Sequence, residues 1–170
     1  TAKAALLDIR RLRCDSLNIA IGRGNADLMD LDLKQGNITS SLADLHIFSS
    51  SINDLVLKND SGHTTIERTA IRHMDGNSQT GNIIVTTTQI KGIWQINTQK
   101  GDVTIKTRRT PYDLFCQLDS PYGAIAVNYT KYDWDKFIVN ETNHCLAVIG
   151  EGRHILKITS QKGHIILGTK

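Results

Sequence analysis

A unit of about twenty residues recurs along most of this chain, and no other feature of the sequence limits its possible folds as strongly. In residues 94–107 (WQINTQKGDVTIKT), apolar residues occupy alternate positions on both sides of a polar turn that ends at Gly101. The same arrangement returns in residues 156–169 (LKITSQKGHIILGT). Period-two alternation indicates strands with one buried face, and a recurring pair of such strands predicts a repeat architecture.

Seven positions share the frame of Gly101, with apolar residues expected five and seven positions before the turn and two and four positions after it. They are Gly36, Gly62, Gly81, Gly101, Gly123, His144 and Gly163. The intervals between them are close to twenty residues, except for 26 residues between Gly36 and Gly62. The longer interval predicts an insertion around residues 48–53. Because composition shows no break, the repeat predicts one domain over residues 1–170, in which residues 1–16 form either a cap or the first coil.

Three architectures can be built from two short strands in each repeat. A propeller blade or an immunoglobulin-like domain needs units of roughly 40 residues or a pattern without repeats. A stack of hairpins usually carries an Asn-Gly or Asp-Gly turn, which is missing from the repeated site. The sequence therefore predicts an all-β fold, a β-solenoid of about seven to eight coils in which each coil rises by ~4.8 Å and the apolar positions form inward columns.

The turns carry a further signal in the residue that follows the glycine. Asparagine or aspartate stands there at Gly36-Asn37, Gly81-Asn82 and Gly101-Asp102. Together with the spacing, over about residues 27–169, this pattern resembles that of an adhesin-like family of domains of unknown function, found in bacteria and in some eukaryotic proteins. The resemblance implies a right-handed β-solenoid with a surface or binding role, and it supplies no catalytic residue.

Composition argues against two classes of partner. Charged residues make up 22% of the chain and the net charge is +3, without the dense basic cluster and interleaved aromatic residues of a nucleic-acid-binding domain. No apolar run approaches the ~18 residues that cross a bilayer, and residues 1–14 lack the features of a signal peptide. We therefore expect neither nucleic-acid binding nor direct membrane insertion.

Cysteine and histidine spacing favours neither a disulfide framework nor a metal site. The three cysteines form no CxxC pair, and the frame places Cys116 inward as a buried thiol and Cys145 at a turn. A bond from Cys14 or Cys145 to another chain remains open if the domain is extracellular. The last three histidines are spaced ten residues apart, half a coil each: His144, His154 and His164. They would face different sides of the solenoid, so we expect neither a metal nor a cofactor.

Two groups of side chains are candidates for partner contact. Aromatic residues cluster in the loop 129–136, where Tyr129, Tyr132 and Trp134 either contact a protein or carbohydrate partner or pack back onto the solenoid. Basic residues cluster at two places, where they either hold a phosphate or a sulfated sugar or form a solvated edge. These residues are Arg10, Arg11 and Arg13 near the N-terminus, and Arg108 and Arg109.

Sequons for N-glycosylation begin at four asparagines, about twice the number expected by chance. They are Asn37, Asn59, Asn128 and Asn140. In the repeat frame they fall at turns or strand ends, where a glycan can be accommodated. They favour a secreted or cell-surface ectodomain, with an intracellular or organellar assembly subunit as the alternative.

The sequence favours a noncatalytic module for protein or glycan contact or for structural assembly at a surface. The alternative is a polysaccharide-active β-helix enzyme, a lyase or a hydrolase, which would place at least two carboxylates and a Lys or Arg within ~6 Å in an exposed groove. A third hypothesis is an assembly subunit that stacks through its last coil, residues 163–170, because an uncapped coil exposes unpaired backbone groups. The position after the turn is expected to hold solvated corner residues rather than a catalytic column. Its polar members include His63, Asn82, Asp102 and His164.

Overall fold

The fold consists of β-strands in the part of the chain that the computed structural model describes, residues 5–129 and 136–169. For residue 5 and residues 136–140 it describes the backbone only. The strands are β1 (Ala5–Arg10), β2 (Arg13–Met29), β3 (Asp32–Phe48), β4 (Ser51–Ser61), β5 (Thr64–Glu67), β6 (Ala70–Thr80), β7 (Ile83–Thr87), β8 (Ile93–Lys100), β9 (Val103–Thr107), β10 (Leu114–Asp119), β11 (Ile125–Asn128), β12 (Lys136–Asn140), β13 (His144–Ile149), β14 (His154–Ser160) and β15 (Ile165–Thr169).

Five coils follow one another in chain order and pair in parallel. They are residues 13–29, 32–48, 51–67, 70–87 and 93–107. Each coil contributes one strand segment to each of two faces. Face A contains β4, β6 and β8, and the turn that leads from face A to face B is called corner 1. Face B contains β5, β7 and β9, and the turn that leads from face B to the next coil is called corner 2. The predicted all-β solenoid is therefore confirmed.

Corner 2 shows the period most clearly. It recurs every 19 residues at four non-glycine residues with φ between 49° and 56°: Arg11, Asp30, Ser49 and Arg68. In each case the backbone N–H donates to a carbonyl of the next coil, as from Ser49 to Glu67 at 3.1 Å. This bond compensates for the left-handed backbone conformation that a residue with a side chain rarely adopts.

The core is a set of stacked apolar columns, because matching residues of neighbouring coils pair directly. On face B one column is buried in every one of the five coils: Leu28, Ile47, Ile66, Val85 and Ile105. On face A the largest core side chain is Trp94, which is 0% exposed and donates its indole N–H to the carbonyl of Ile71 at 3.3 Å. Branched side chains at every second position suit this half-buried pleated surface.

The order of the coils departs from the order of the chain after residue 107. On face A, β14 pairs with β8 on one side and with β10 on the other. On face B, β15 pairs with β9 on one side and with β11 on the other. The last coil, residues 154–169, is therefore inserted between the coil 93–107 and the coil 114–128. The face A column that the frame predicts as Met74, Trp94, Cys116 contains Leu156 between Trp94 and Cys116.

The repeat unit around His144 is not a coil, which corrects the prediction of seven to eight coils in chain order. β13 runs antiparallel to β10, and β12 runs antiparallel to β13, so the two strands form a hairpin outside the coil 114–128. Cys145 and Ala147 face inward and are at most 1% exposed, whereas the frame predicts Leu146 and Val148 there. Both sets are apolar, so alternation alone does not select the buried one, and a one-residue change of register exchanges the two faces.

The first turn of the frame is also misplaced. Gly36 lies within β3, where it is buried and pairs with Leu17 and Leu55 on face A. Corner 1 of this coil is formed by Ala43, one period before Gly62, which confirms the spacing and removes the predicted insertion around residues 48–53. Gly36 matched the frame because a buried glycine and a corner glycine look alike in a sequence.

The two ends of the chain occupy different places in the stack. β1 pairs in parallel with residues 24–29 of β2, so residues 5–10 continue the stack beyond the coil 13–29. The last coil has neighbours on both sides, so residues 163–169 form no open end. The prediction of an exposed final coil is wrong because it assumed that the coils stack in chain order.

Candidate functional site

Corner 1 carries a ladder of polar side chains, each of which accepts a hydrogen bond from the backbone N–H of the next coil. The acceptors are Asp44 Oδ1 for His63 N–H (2.7 Å), His63 Nδ1 for Asn82 N–H (3.2 Å), Asn82 Oδ1 for Asp102 N–H (2.9 Å), Asp102 Oδ1 for His164 N–H (2.7 Å) and His164 Nδ1 for Ala124 N–H (3.0 Å). The position after the turn thus holds structural acceptors, and the ladder follows the order of the coils rather than the order of the chain. Asp102 and His164 are neighbours for that reason.

The links at corner 2 are longer in the second half of the chain. The early links have two residues between strands, as at 49–50 and 68–69, whereas the later ones are residues 88–92, 108–113 and 150–153. The long links lie side by side. Ile155 N–H donates to the carbonyl of Gly92 at 2.8 Å, and Arg153 N–H donates to Asp113 Oδ1 at 2.7 Å.

A groove runs along corner 2 and over the links 88–92 and 108–113. One part, of about 640 Å³, extends from Asp30 past Arg68 to Lys91. The second part is lined by Thr88, Gln89, Arg108, Arg109, Thr110 and Tyr112. Thr88 and Gln89 line both parts, so the two parts adjoin each other. We call its four cationic residues, Arg68, Lys91, Arg108 and Arg109, the basic groove set.

The positive charges of the basic groove set are not neutralised by acidic side chains in the described part of the chain. Within the described ranges, none of its four members forms an ion pair, although the Arg68 guanidinium lies over the Phe48 ring at 5.3 Å from the centroid. The acidic residues of the groove, Asp30 and Asp32, lie at its far end, and Asp32 is paired with Arg13 at 2.6 Å. The end near Tyr112 therefore attracts anions.

A family model described as Toastrack DUF4097 matches residues 2–167. The chain belongs to the Toastrack family. Its description is that of a domain of unknown function, so membership fixes no ligand and no reaction. No curated protein and no solved structure matched the chain.

The basic residues singled out from the sequence of this Toastrack domain fall into two groups. Arg10 pairs with Asp8 at 2.7 Å, Arg13 pairs with Asp32, and Arg11 is exposed at the first turn of corner 2. Arg108 and Arg109 line the groove. Arg68 and Lys91, which complete the basic groove set, are not adjacent to another basic residue in the sequence, and the stacking of the coils brings them to the same corner as Arg108 and Arg109.

Tyr129, at the start of the aromatic loop, is not available for the partner contact that the sequence suggests. Tyr129 is 7% exposed, and its hydroxyl forms a hydrogen bond of 2.9 Å with Thr107 Oγ1. Burial raises the pKa of this phenol well above its usual range. Tyr129 therefore packs back onto the solenoid, which was the second of the two sequence interpretations. Tyr132 and Trp134 lie outside the described residues.

The four sequons of the Toastrack domain are not equivalent. Asn59 is 1% exposed and its amide donates to the carbonyls of Ala43 and Gly62 at 3.1 Å each, so the folded chain does not offer it to a glycan. Asn37 is exposed in the middle of β3, and Asn128 is exposed on β11. The side chain of Asn140 lies outside the described part of the structure.

The cysteines of the domain are free in this structure. Cys116 is buried, as predicted, and burial raises its pKa well above the usual range. Cys145 is also buried, with a raised pKa, so its predicted turn position is wrong and a bond to another chain through Cys145 is incompatible with the fold. Cys14 is partly buried near the first coil.

One grouping approaches the arrangement that a polysaccharide-active enzyme requires. Arg153 Nε contacts Asp113 Oδ2 and lies 3.3 Å from Glu151 Oε2. The Asp113 side chain is only 4% exposed, however, and both of its oxygens accept hydrogen bonds from Arg153. Asp113 therefore connects the link 108–113 to the link 150–153 and does not face a groove. In the described residues we find neither a cluster of His, Cys, Asp or Glu side chains able to hold a metal ion nor a helix able to span a membrane.

Replacement of Asp113 by asparagine is expected to destabilise the last coil in a pH-dependent manner. The backbone N–H of Arg153, followed by its guanidinium, lowers the pKa of Asp113 in the folded state. Its contribution is thus complete above the ordinary aspartate range, near a pKa of about 3.9, and is lost as pH falls through the lowered folded value. Thermal melts of D113N and the unmodified chain should differ by several degrees at about pH 7 and converge as pH falls below the ordinary aspartate pKa of about 3.9 and through the lowered folded value. A difference independent of pH would contradict the role of the carboxylate charge.

Proposed function

We propose that this Toastrack domain is a noncatalytic binding module that contacts a protein or glycan partner through the groove along corner 2, as an adhesin-like unit at a surface. The observation that carries the proposal is the basic groove set. Four cations line the two adjoining parts of this groove, and three of them, Lys91, Arg108 and Arg109, lie on links that are longer than the scaffold requires. A rigid scaffold with specialised loops is a common arrangement for recognition.

The shape of the groove supports contact with an extended partner. It is open along its length, and its walls belong to several coils, from Asp30 to Tyr112. A site for a small organic ligand is usually a concavity with a small number of polar groups. The groove combines apolar lining with four cations, several hydroxyls and one exposed tyrosine, Tyr112, which is 64% exposed.

The location of the domain is part of the same proposal. The exposed asparagines Asn37 and Asn128 support a secreted or cell-surface ectodomain, because both sequons are accessible to glycosylation. Expression of the full chain with a secretion signal in mammalian cells tests this point. A shift in mass that disappears after treatment with an N-glycosidase is expected, and it should persist in N59Q and decrease in N37Q.

The binding proposal predicts that charge reversal within the groove abolishes partner contact. The variant R108E/R109E should bind at least tenfold more weakly than the unmodified chain, because two attractive cations become repulsive anions. The probe is an array of acidic and neutral glycans together with a panel of acidic peptides. A matched control is K100E/K162E, in which two exposed lysines at corner 1 undergo the same change of charge. Equal losses in both variants, or no binding by the unmodified chain to any probe, would contradict the proposal.

A further inference from the structure

We infer that the ligand of the basic groove is a linear acidic glycan, whose sulfate or carboxylate groups are bound by arginines that lie two coils apart. This inference rests on the proposed function and specifies the ligand. Three observations support it: the spacing of the cations, the side chains near Tyr112, and the pairing of both edges of the strands next to the groove.

The spacing of the cations matches a repeating charge rather than a single anion. Arg68 follows β5 and Arg108 follows β9, and β7 lies between these strands. Their backbones are therefore two strand spacings apart, about 10 Å. The Arg68 guanidinium lies over Phe48, on the side of β5 that faces away from Arg108. Because hydrogen bonds to an anion require contacts of about 3 Å, two arginines arranged in this way are suited to bind two groups on one extended chain.

The Tyr112 end combines the groups that recognise a substituted sugar ring. Arg108 and Arg109 supply planar guanidinium groups that bind sulfate or carboxylate through paired hydrogen bonds. Thr88 and Gln89 supply a hydroxyl and an amide, which can both donate to and accept from sugar hydroxyls. The exposed Tyr112 ring offers an apolar face with a polar tip. A ligand with anionic groups, hydroxyls and an apolar ring face satisfies all of these residues together.

A peptide partner is less well suited to the same groove. Extended peptides commonly gain affinity by adding a strand to an unpaired sheet edge, whereas short acidic motifs are bound by arginine side chains. The strands next to this groove offer no such edge, since β7 pairs with β5 and β9, and β9 pairs with β7 and β15. A peptide would therefore depend on side-chain contacts alone, whereas a glycan presents its recognition groups along its whole length.

The charge distribution also gives the ligand a preferred position. Asp30 and Asp32 lie at one end of the groove, and Arg108 and Arg109 lie at the other. Repulsion at the acidic end and attraction at the basic end place the anionic groups between Arg68 and Tyr112. Arg68 and Lys91 then extend the contact beyond the subsite at Tyr112.

Isothermal titration of the full chain with defined probes tests this assignment. The probes are a sulfated glycosaminoglycan oligosaccharide, a polyuronate of similar length, a neutral glucan, an acidic peptide of matched charge and a single-stranded oligonucleotide. At least one acidic glycan should bind tenfold or more tightly than the glucan, the peptide and the oligonucleotide, and its affinity should fall about tenfold or more between about 50 and about 200 mM salt. The sulfated and the carboxylated probes distinguish the two sources of negative charge.

Variants then distinguish the role of the groove as a binding surface from the assignment of an acidic glycan as its ligand. R108Q/R109Q should weaken acidic glycan binding at least tenfold and make its salt dependence shallower, whereas Y112A should weaken it several-fold with an unchanged salt dependence. K100Q/K162Q, with the same loss of charge at corner 1, should bind like the unmodified chain. If the peptide or the oligonucleotide binds best and is lost in R108Q/R109Q, the glycan assignment is overturned while the groove remains the binding surface. If no probe responds to the groove variants, both proposals are overturned.

Discussion

A variant that lacks residues 151–170 is expected to lose the fold of β10–β13 together with the last coil. The coil 114–128 contacts the first five coils through β14 and β15, so removal of these strands leaves a gap in both faces. The deleted coil contributes four large side chains that are at most 1% exposed: Leu156, Ile158, Ile165 and Leu167. At about 1.5–3 kcal/mol each, their burial is comparable with the whole stability of a typical domain, about 5–15 kcal/mol.

Hydrogen exchange measured by mass spectrometry distinguishes this result from simple shortening. The amides of β10–β13 should exchange as in an unfolded chain, while those of β3–β8 retain protection. A variant that lacks residues 1–10 is the control, because β1 pairs with β2 alone and its removal shortens the stack at an end. Retained protection of β10–β13 in the C-terminal deletion would show that the coil 114–128 can stack directly on the coil 93–107.

The coil cross-section could be predicted from the sequence because it depends on local pattern. Trp94, Ile96, Val103 and Ile105 alternate with polar residues, and all four are 0% exposed. Alternation reports which side chains share a face, and the period reports how far apart successive coils are in the chain. Both quantities survive errors at single positions, which is why the misplaced turn at Gly36 did not change the fold class.

The order of the coils could not be predicted in the same way. Leu156 pairs with Trp94 and with Cys116, and the three residues occupy equivalent positions of the same apolar alternation. The repeats have similar apolar patterns, so the sequence does not show which repeats are neighbours in the stack. Without that information, the order of the chain is the simplest prediction. The antiparallel direction of β13 was hidden for a related reason, since Leu146 and Val148 are as apolar as Cys145, Ala147 and Ile149.

The candidate site was predicted in part. Adjacent arginines such as Arg108 and Arg109 stand out in a sequence, whereas neither Arg68 nor Lys91 is next to another basic residue. Their alignment depends on coil geometry. Had the period been counted from corner 2, Arg11, Asp30, Ser49 and Arg68 would have formed one series at intervals of 19 residues, and the longer link at 88–92 would have appeared as the first departure from it.

Replacement of Gly81 by alanine is expected to destabilise the fold by about 3 kcal/mol or more. The added Cβ would lie 2.0 Å from the carbonyl oxygen of Gly62, and the residue has φ of +126°, a conformation that side chains rarely adopt. The clash is with backbone that is itself held in the corner 1 stack, so neither coil can move without disturbing the next. Urea unfolding followed by circular dichroism measures the change in the free energy of unfolding.

Gly36 provides the matched control, because the repeat pattern treats both glycines as corner residues and the structure separates them. A Cβ at Gly36 would have the Leu55 side chain as its nearest neighbour, at 3.4 Å, and the backbone there is not left-handed. G36A should therefore change the free energy of unfolding by no more than about 1 kcal/mol, since a glycine in an ordinary backbone conformation tolerates alanine. Equal and large losses in G36A and G81A would instead make Gly36 a corner residue. The 26-residue interval and its insertion would then be real, and the 19-residue register that aligns Arg68 with the groove would be wrong.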